Sequence, residues 1–232
     1  VCDVAPPPGG ETVALSAGVH GDEPAAPWAL LSLVRDGLLD PRFGYRIWPC
    51  TNPSGYDRGT RENADGFDVN RSFDRGGTTP EARAIVTANR DRTFALALDL
   101  HEDFEADGFY AYEPVVPGGP VLGRPVVAAL DANAFPVEDL TDGFDLGYSP
   151  DAFHLRTIER GLVFSDPAAE RAYFTGTPYS LYVLRRAARR AATFESPRKL
   201  AWDVRIGMHR VAVVTALEQL RENPQRSHKK SS

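Results

Sequence analysis

Apolar runs of strand length recur along this chain, at residues 12–19, 45–51, 94–100, 109–112, 162–164 and 192–194. Several are nearly continuous and not alternating, which is the pattern of strands covered on both faces. Between them lie segments that read as helices, at about 23–36, 80–92, 121–133, 178–190 and 203–223. Thr79-Pro80-Glu81 opens one of these with a capping hydroxyl and a proline at the first helical position. Strand and helix alternation predicts a twisted, mixed and largely parallel sheet between helices, an α/β/α arrangement. With 232 residues, 42% of them hydrophobic, the chain suits one such domain over 1–222, followed by a polar basic tail at 223–232.

The remaining composition narrows the chemistry. A formal net charge of −6 argues against a nucleic-acid partner. No apolar run approaches the roughly 20 residues that cross a bilayer, so no membrane partner is expected. No signal peptide is visible, so the cytoplasm is the default expectation, although the chain starts at Val1 without a methionine and its N-terminus stays open. Cys2 and Cys50 are the only cysteines and form no CxxC pair. Any metal should therefore be held by histidine and carboxylate. Oligomeric state has no signature here.

Residues 52–78 form a long stretch rich in Gly, Asn, Asp and Arg with little hydrophobic periodicity, and loops of that length are usually functional. It holds Arg61, Asp68, Asn70 and Arg71, within "GTRENADGFDVNRSF". Three further pieces stand at the ends of apolar runs: "HGDE" with His20 and Glu23, "FALALDLHED" with His101, and "ATFESP" with Glu195. Tyr173, Tyr179 and Tyr182 form a late tyrosine cluster. Each piece alone has an ordinary reading. A strand-end histidine is commonly a hydrogen-bonded structural residue, HxxE recurs by chance, and Tyr179 and Tyr182 suit helix packing. His154, His209 and His228 have no partner pattern.

Taken together, the pieces suit hydrolysis. A catalytic zinc takes three protein ligands from His and Glu/Asp, and His20, Glu23 and His101 supply such a set. Strand carboxyl ends are where sites gather in open α/β sheets. Zinc polarises a carbonyl and acidifies water, and a carboxylate outside the ligand set must move the proton, a task open to Glu195. Arg71 with Asn70 can grip an anionic group, and Arg61 can stabilise an oxyanion.

In order and local sequence these motifs resemble the M14-type zinc carboxypeptidases, whose pattern is HxxE after a strand, an arginine, "G-x-D-x-N-R-x-F", a strand-end His and a late "T-x-E". The likeness runs from about residue 12 to 200, and "DVNR" is its most specific part. It implies a zinc-carboxypeptidase-like fold and one zinc per chain, bound by His20, Glu23 and His101. It gives Asp68 the task of orienting a ligand histidine, Asn70 and Arg71 that of clamping the substrate's terminal carboxylate, and Arg61 the oxyanion. Glu195 becomes the general base and acid. Tyr173 matches a mobile tyrosine that closes over the bound residue, with Tyr179 as the alternative.

The succinylglutamate desuccinylases and aspartoacylases share several of these motifs and cleave N-acyl amino acids. A helix-like segment and a tail are all that follow Glu195 here, whereas that group usually adds a β-rich domain, which favours the peptidase reading. The style of "HGDE" also resembles bacterial murein-peptide amidases, pointing to a cell-wall peptide. The expected activity is zinc-dependent hydrolysis of a peptide-type amide beside a free carboxylate. An acyl-amino-acid deacylase and a non-catalytic peptide-binding relative are the alternatives. No residue between His101 and Tyr173 stands out as selector of the side chain.

Overall fold

One eight-stranded mixed sheet runs through the computed structural model, which describes residues 1–115, 121–140, 156–167 and 176–222. In chain order the strands are β1 (Cys2–Val4), β2 (Thr12–Ala17), β3 (Gly44–Trp48), β4 (Leu96–Asp103), β5 (Tyr110–Pro114), β6 (Arg156–Glu159), β7 (Leu162–Ser165) and β8 (Ala191–Pro197). The helices are α1 (Ala25–Arg35), α2 (Pro53–Arg58), α3 (Pro80–Ala88), α4 (Gly123–Ala132), α5 (Tyr179–Arg186) and α6 (Trp202–Glu222). Across the sheet the order is β1-β3-β2-β4-β8-β5-β7-β6. Strands β3, β2, β4 and β8 are mutually parallel, while β5 joins β8 antiparallel.

Alternation along the strands sorts side chains to two faces. Val13, Leu15 and Ala17 of β2, Leu96, Leu98 and Leu100 of β4, and Phe194 of β8 pack against Leu30 of α1, Val126 of α4 and Met208 of α6. Ala14, Ala97 and Ala191 face the other way, against Ile85 of α3 and Tyr179 and Val183 of α5. The three-layer α/β/α arrangement is thus the expected one. The second face is lined by small alanines because the large rings of Phe94, Tyr179 and Tyr182 fill it from above.

Local signals act as anticipated at several ends. The Thr79 side chain accepts from the Ala82 amide and Pro80 begins α3. Departures are physical as well. β1 and β6 escape the hydrophobic pattern because they are short edge strands, β1 being exposed throughout. The 52–78 stretch is not structureless: α2 is capped by Asn52, whose side chain accepts from Gly55, and it ends at Gly59 with a left-handed φ of 64°. α1 begins at Ala25, leaving Glu23 in the preceding turn. His209 is wholly enclosed on α6, and burial lowers its pKa to about 3. Cys2 and Cys50 are free thiols. Among the described residues no helix is long and apolar enough to cross a membrane. Tyr173, His154, His228 and the 223–232 tail lie outside the described residues.

Candidate metal and catalytic site

Strand polarity brings the site together. β2, β4 and β8 are adjacent and parallel, so their carboxyl ends open on the same edge of the sheet. His101 and Glu195 are direct register partners across β4 and β8. His20 and Glu23 lie in the turn between β2 and α1. That turn is pressed against α2: a Cβ added to Gly21 would stand 1.9 Å from the Gly55 carbonyl carbon and 2.1 Å from the Tyr56 nitrogen. Only glycine fits a backbone-to-backbone approach that close.

Ligand-type atoms of His20, Glu23 and His101 all lie within 4.8 Å of one another, and all three residues are buried. The Glu23 carboxylate stands between the two rings, with Oε1 2.5 Å from Nδ1 of His20 and Oε2 2.9 Å from Nδ1 of His101. The opposite nitrogen of each ring faces another carboxylate. His20 Nε2 is 3.4 Å from Asp68 Oδ1, and His101 Nε2 is 3.0 Å from Asp99 Oδ2. The His101–Asp99 contact is a hydrogen bond, the kind by which metal-binding histidines characteristically give their second nitrogen to a carboxylate, whereas the His20–Asp68 contact is a proximity only. Two Nδ1 atoms and one carboxylate, enclosed and backed by carboxylates, fit a divalent cation such as zinc.

The electrostatics agree. Burial pushes the Glu23 carboxyl up, but the adjoining His20 and His101 outweigh it and hold the group well below the usual range. Burial disfavours charge on His101, yet Glu23, Asp99 and Glu195 together raise its pKa. Glu195 is raised, chiefly by burial; His101 opposes the rise while Glu23, Asp103 and Asp99 add to it. Carboxyl groups thus surround the His101 ring, and burial and their mutual repulsion oppose ionisation of Glu195.

The 52–78 stretch supplies the cationic side. Arg61 donates from Nη2 and Nε to Asp68 Oδ2 at 3.0 and 3.2 Å, and its Nη1 lies 3.4 Å from Nδ1 of His20. Asp68 caps a 3-10 turn, Val69–Arg71, by accepting from the Asn70 amide. Asn70 Oδ1 accepts from the Tyr179 amide at 3.0 Å, which fixes the orientation of its side-chain amide. Arg71 donates to the Asn70 carbonyl at 3.0 Å. Tyr179 itself is 2% exposed, its ring 5.5 Å from that of Phe73 and 6.4 Å from that of Tyr182. It is a packing residue, and the alternative of a closing role for Tyr179 is not compatible with that burial.

Asp99 and Ser16 went unassigned in the sequence, although the signal was there. Asp99 precedes His101 by two places on one strand and so shares its face. Ser16, opposite Asp99 in the β2–β4 register, donates to its other carboxylate oxygen at 2.5 Å.

Comparisons with known proteins agree with the fold. Residues 9–113 match the family model of the succinylglutamate desuccinylase/aspartoacylase catalytic domain. Carboxypeptidase SOL1 of Arabidopsis thaliana is 33% identical over 103 residues, 36% of this chain and 21% of that protein, so the match spans about a fifth of that relative's length. A Shewanella baltica OS155 protein classed as a metallopeptidase superposes with a TM-score of 0.71 at 26% identity, covering 93% of this chain and 78% of that one. The tripeptide-bound cell shape determinant Csd4 of Helicobacter pylori has the same fold, with a TM-score of 0.65 at 15% identity over 95% of this chain and 55% of its own. In sequence over its first half, and in fold over nearly its whole length, the chain is thus similar to the succinylglutamate desuccinylase/aspartoacylase catalytic domain and to the metallo-carboxypeptidases.

Proposed function

We propose that this protein is a zinc-dependent hydrolase of a peptide-type amide bond next to a free carboxylate. The observation that carries the reading is the enclosed His20, Glu23 and His101 group with Glu195 beside it in register. His20 and His101 through Nδ1, with Glu23, would hold one zinc ion per chain. When bound, zinc would supply a Lewis acid that polarises the scissile carbonyl and makes water acidic enough to attack near neutral pH. Glu195 takes the proton from the attacking water and returns it to the leaving amine, from its place beside His101 in the β4–β8 register. Arg61, held by Asp68, offers its guanidinium to the developing oxyanion. The NH2 of Asn70 and the Arg71 guanidinium anchor the substrate's carboxylate. Asp68 and Asp99 keep the His20 and His101 rings turned so that Nδ1 faces inward. Tyr173 is proposed to close over the bound residue. Residues 1–222 would make up the catalytic domain, with 223–232 as a tail.

A peptide substrate is the favoured choice, and the tripeptide in Csd4 leans it toward a cell-wall peptide. The match of 9–113 to the desuccinylase/aspartoacylase domain supports a second reading, an N-acyl amino acid deacylase acting at the same site.

The test is metal content measured alongside a cleavage screen. C-terminal peptides with free and amidated ends, γ-D-glutamyl cell-wall peptides, N-acetyl-aspartate and N-succinyl-glutamate form the panel. One zinc per chain with chelator-sensitive release of a C-terminal residue from free-ended peptides alone supports the peptidase. Cleavage of only the acyl amino acids moves the protein to the deacylases. No zinc and no turnover would leave a peptide-binding relative.

A further inference from the structure

We propose that Glu102 and Arg205 are positioning residues that set the spacing between Glu23 and His101, tying α6 to the metal site. This rests on the zinc reading above and adds a device outside the ligand set.

Glu102 follows His101 on β4, so its side chain leaves the opposite face of the sheet, beneath α1 and α6. It is 3% exposed, and its side chain bonds to the Ala25 amide and to Arg205. Its backbone N–H donates to Glu23 Oε2 at 3.1 Å, the same oxygen that faces His101 Nδ1. Its own Oε2 accepts from the Ala25 amide at 2.7 Å, two residues beyond Glu23 at the start of α1. Glu102 thus grips Glu23 twice, once at the carboxylate and once through the main chain that follows. The remaining oxygen, Oε1, is engaged by Nη1 of Arg205, which crosses from α6 and lies with its guanidinium carbon 5.2 Å from the Trp202 ring centre.

A positional role explains why charge is placed here. Glu102 is a second buried carboxylate behind Glu23, and it raises the cost of an already anionic site. A buried ion pair is often no more stabilising than apolar side chains of the same volume, so stability alone does not call for it. Leu98 and Leu100 occupy the same face of β4 one and two pleats earlier, where leucine suffices. What leucine cannot do is hold the α1 amide and fix the turn from Glu23 to Ala25 against the strand that carries His101.

The experiment uses the full chain with Arg205→Met, Arg205→Lys and the volume-matched double change Glu102→Leu/Arg205→Met. Three quantities are read: zinc affinity by chelator competition, the visible absorption of the cobalt(II)-substituted protein, and the thermal midpoint without metal. The expected result is zinc binding ten- to a hundred-fold weaker in Arg205→Met and in the double variant. A shifted cobalt band and a metal-free midpoint in the double variant close to wild type should accompany it. Arg205→Lys should recover part of the affinity. Wild-type affinity and an unmoved cobalt band in the folded variants would overturn the inference while leaving the zinc site standing. Affinity that falls only in proportion to the metal-free midpoint would overturn it too, as a structural effect. A wild-type chain that takes up no zinc would instead overturn the proposed function, and this inference with it.

Discussion

Asp99 and His101 stand two places apart on β4, and the carboxylate of the first meets Nε2 of the second at 3.0 Å. That contact decides which nitrogen His101 can offer a metal. With Nε2 committed, Nδ1 is the donor, and it points to Glu23. His20 Nε2 also faces a carboxylate, that of Asp68, but at 3.4 Å and without a hydrogen bond.

Replacing Asp99 by Asn keeps the shape and removes the charge. Zinc affinity should fall by about ten- to a hundred-fold, the usual effect of losing such a partner. Chelator competition measures it, and an affinity equal to wild type would remove Asp99 from the site.

Glu195→Gln separates chemistry from binding. Turnover should drop by about 10²–10⁴-fold, the worth of a positioned proton carrier, while zinc content stays at one per chain. Retained turnover would overturn the assignment of the proton shuttle to Glu195.

Gly21→Ala tests the seam between the "HGDE" turn and α2. Its Cβ has no space against the Gly55 backbone, so the turn must move as a unit. Overpacking of this kind costs about 1–3 kcal/mol, and here it should weaken zinc binding as well as lower the thermal midpoint. A variant with wild-type midpoint and affinity would show the turn to be free to shift.

Glu113 should give folding stability a pH dependence away from the site. Its carboxylate accepts from the Leu122 and Gly123 amides at the start of α4, and burial raises its pKa despite those bonds. The folded state therefore binds the proton more tightly than the unfolded chain. The contribution is fully present below the ordinary glutamate value of about 4.3 and is lost as pH rises through the raised folded value. Within that window the slope reaches at most about −1.4 kcal/mol per pH unit. Urea unfolding across pH 4.5–7.5 should show this decline in wild type and a flatter profile in Glu113→Gln; parallel profiles would contradict it.

The legible parts of this molecule were those written in short-range pattern. Continuous apolar runs announced β2, β4 and β8, because strands covered on both faces need them, and the histidines and glutamates of interest stood where those runs stopped. β1 and β6 carry no such mark, since an edge strand has a partner on one side only and tolerates "CDV" and "RTIE". The helix over 53–58 hid among glycines because its stability comes from the Asn52 cap and its packing against Gly21. Asp99 looked like a stray charge inside an apolar run until the face it shares with His101 was set by the strand. Glu102 and Arg205, 103 positions apart, could be joined only by the packing of α6 on β4.

Strand β8 is nearly the last element in the chain, yet it lies between β4 and β5 in the sheet. On a ribosome, residues 191–197 emerge after every other described strand, and until then the centre of the sheet has a gap. A growing chain can gather His20, Glu23 and His101 early, but it cannot hold Glu195 against them until residues 191–197 have emerged. Under the proposed function, the proton carrier joins the ligand group only when β8 fills that gap.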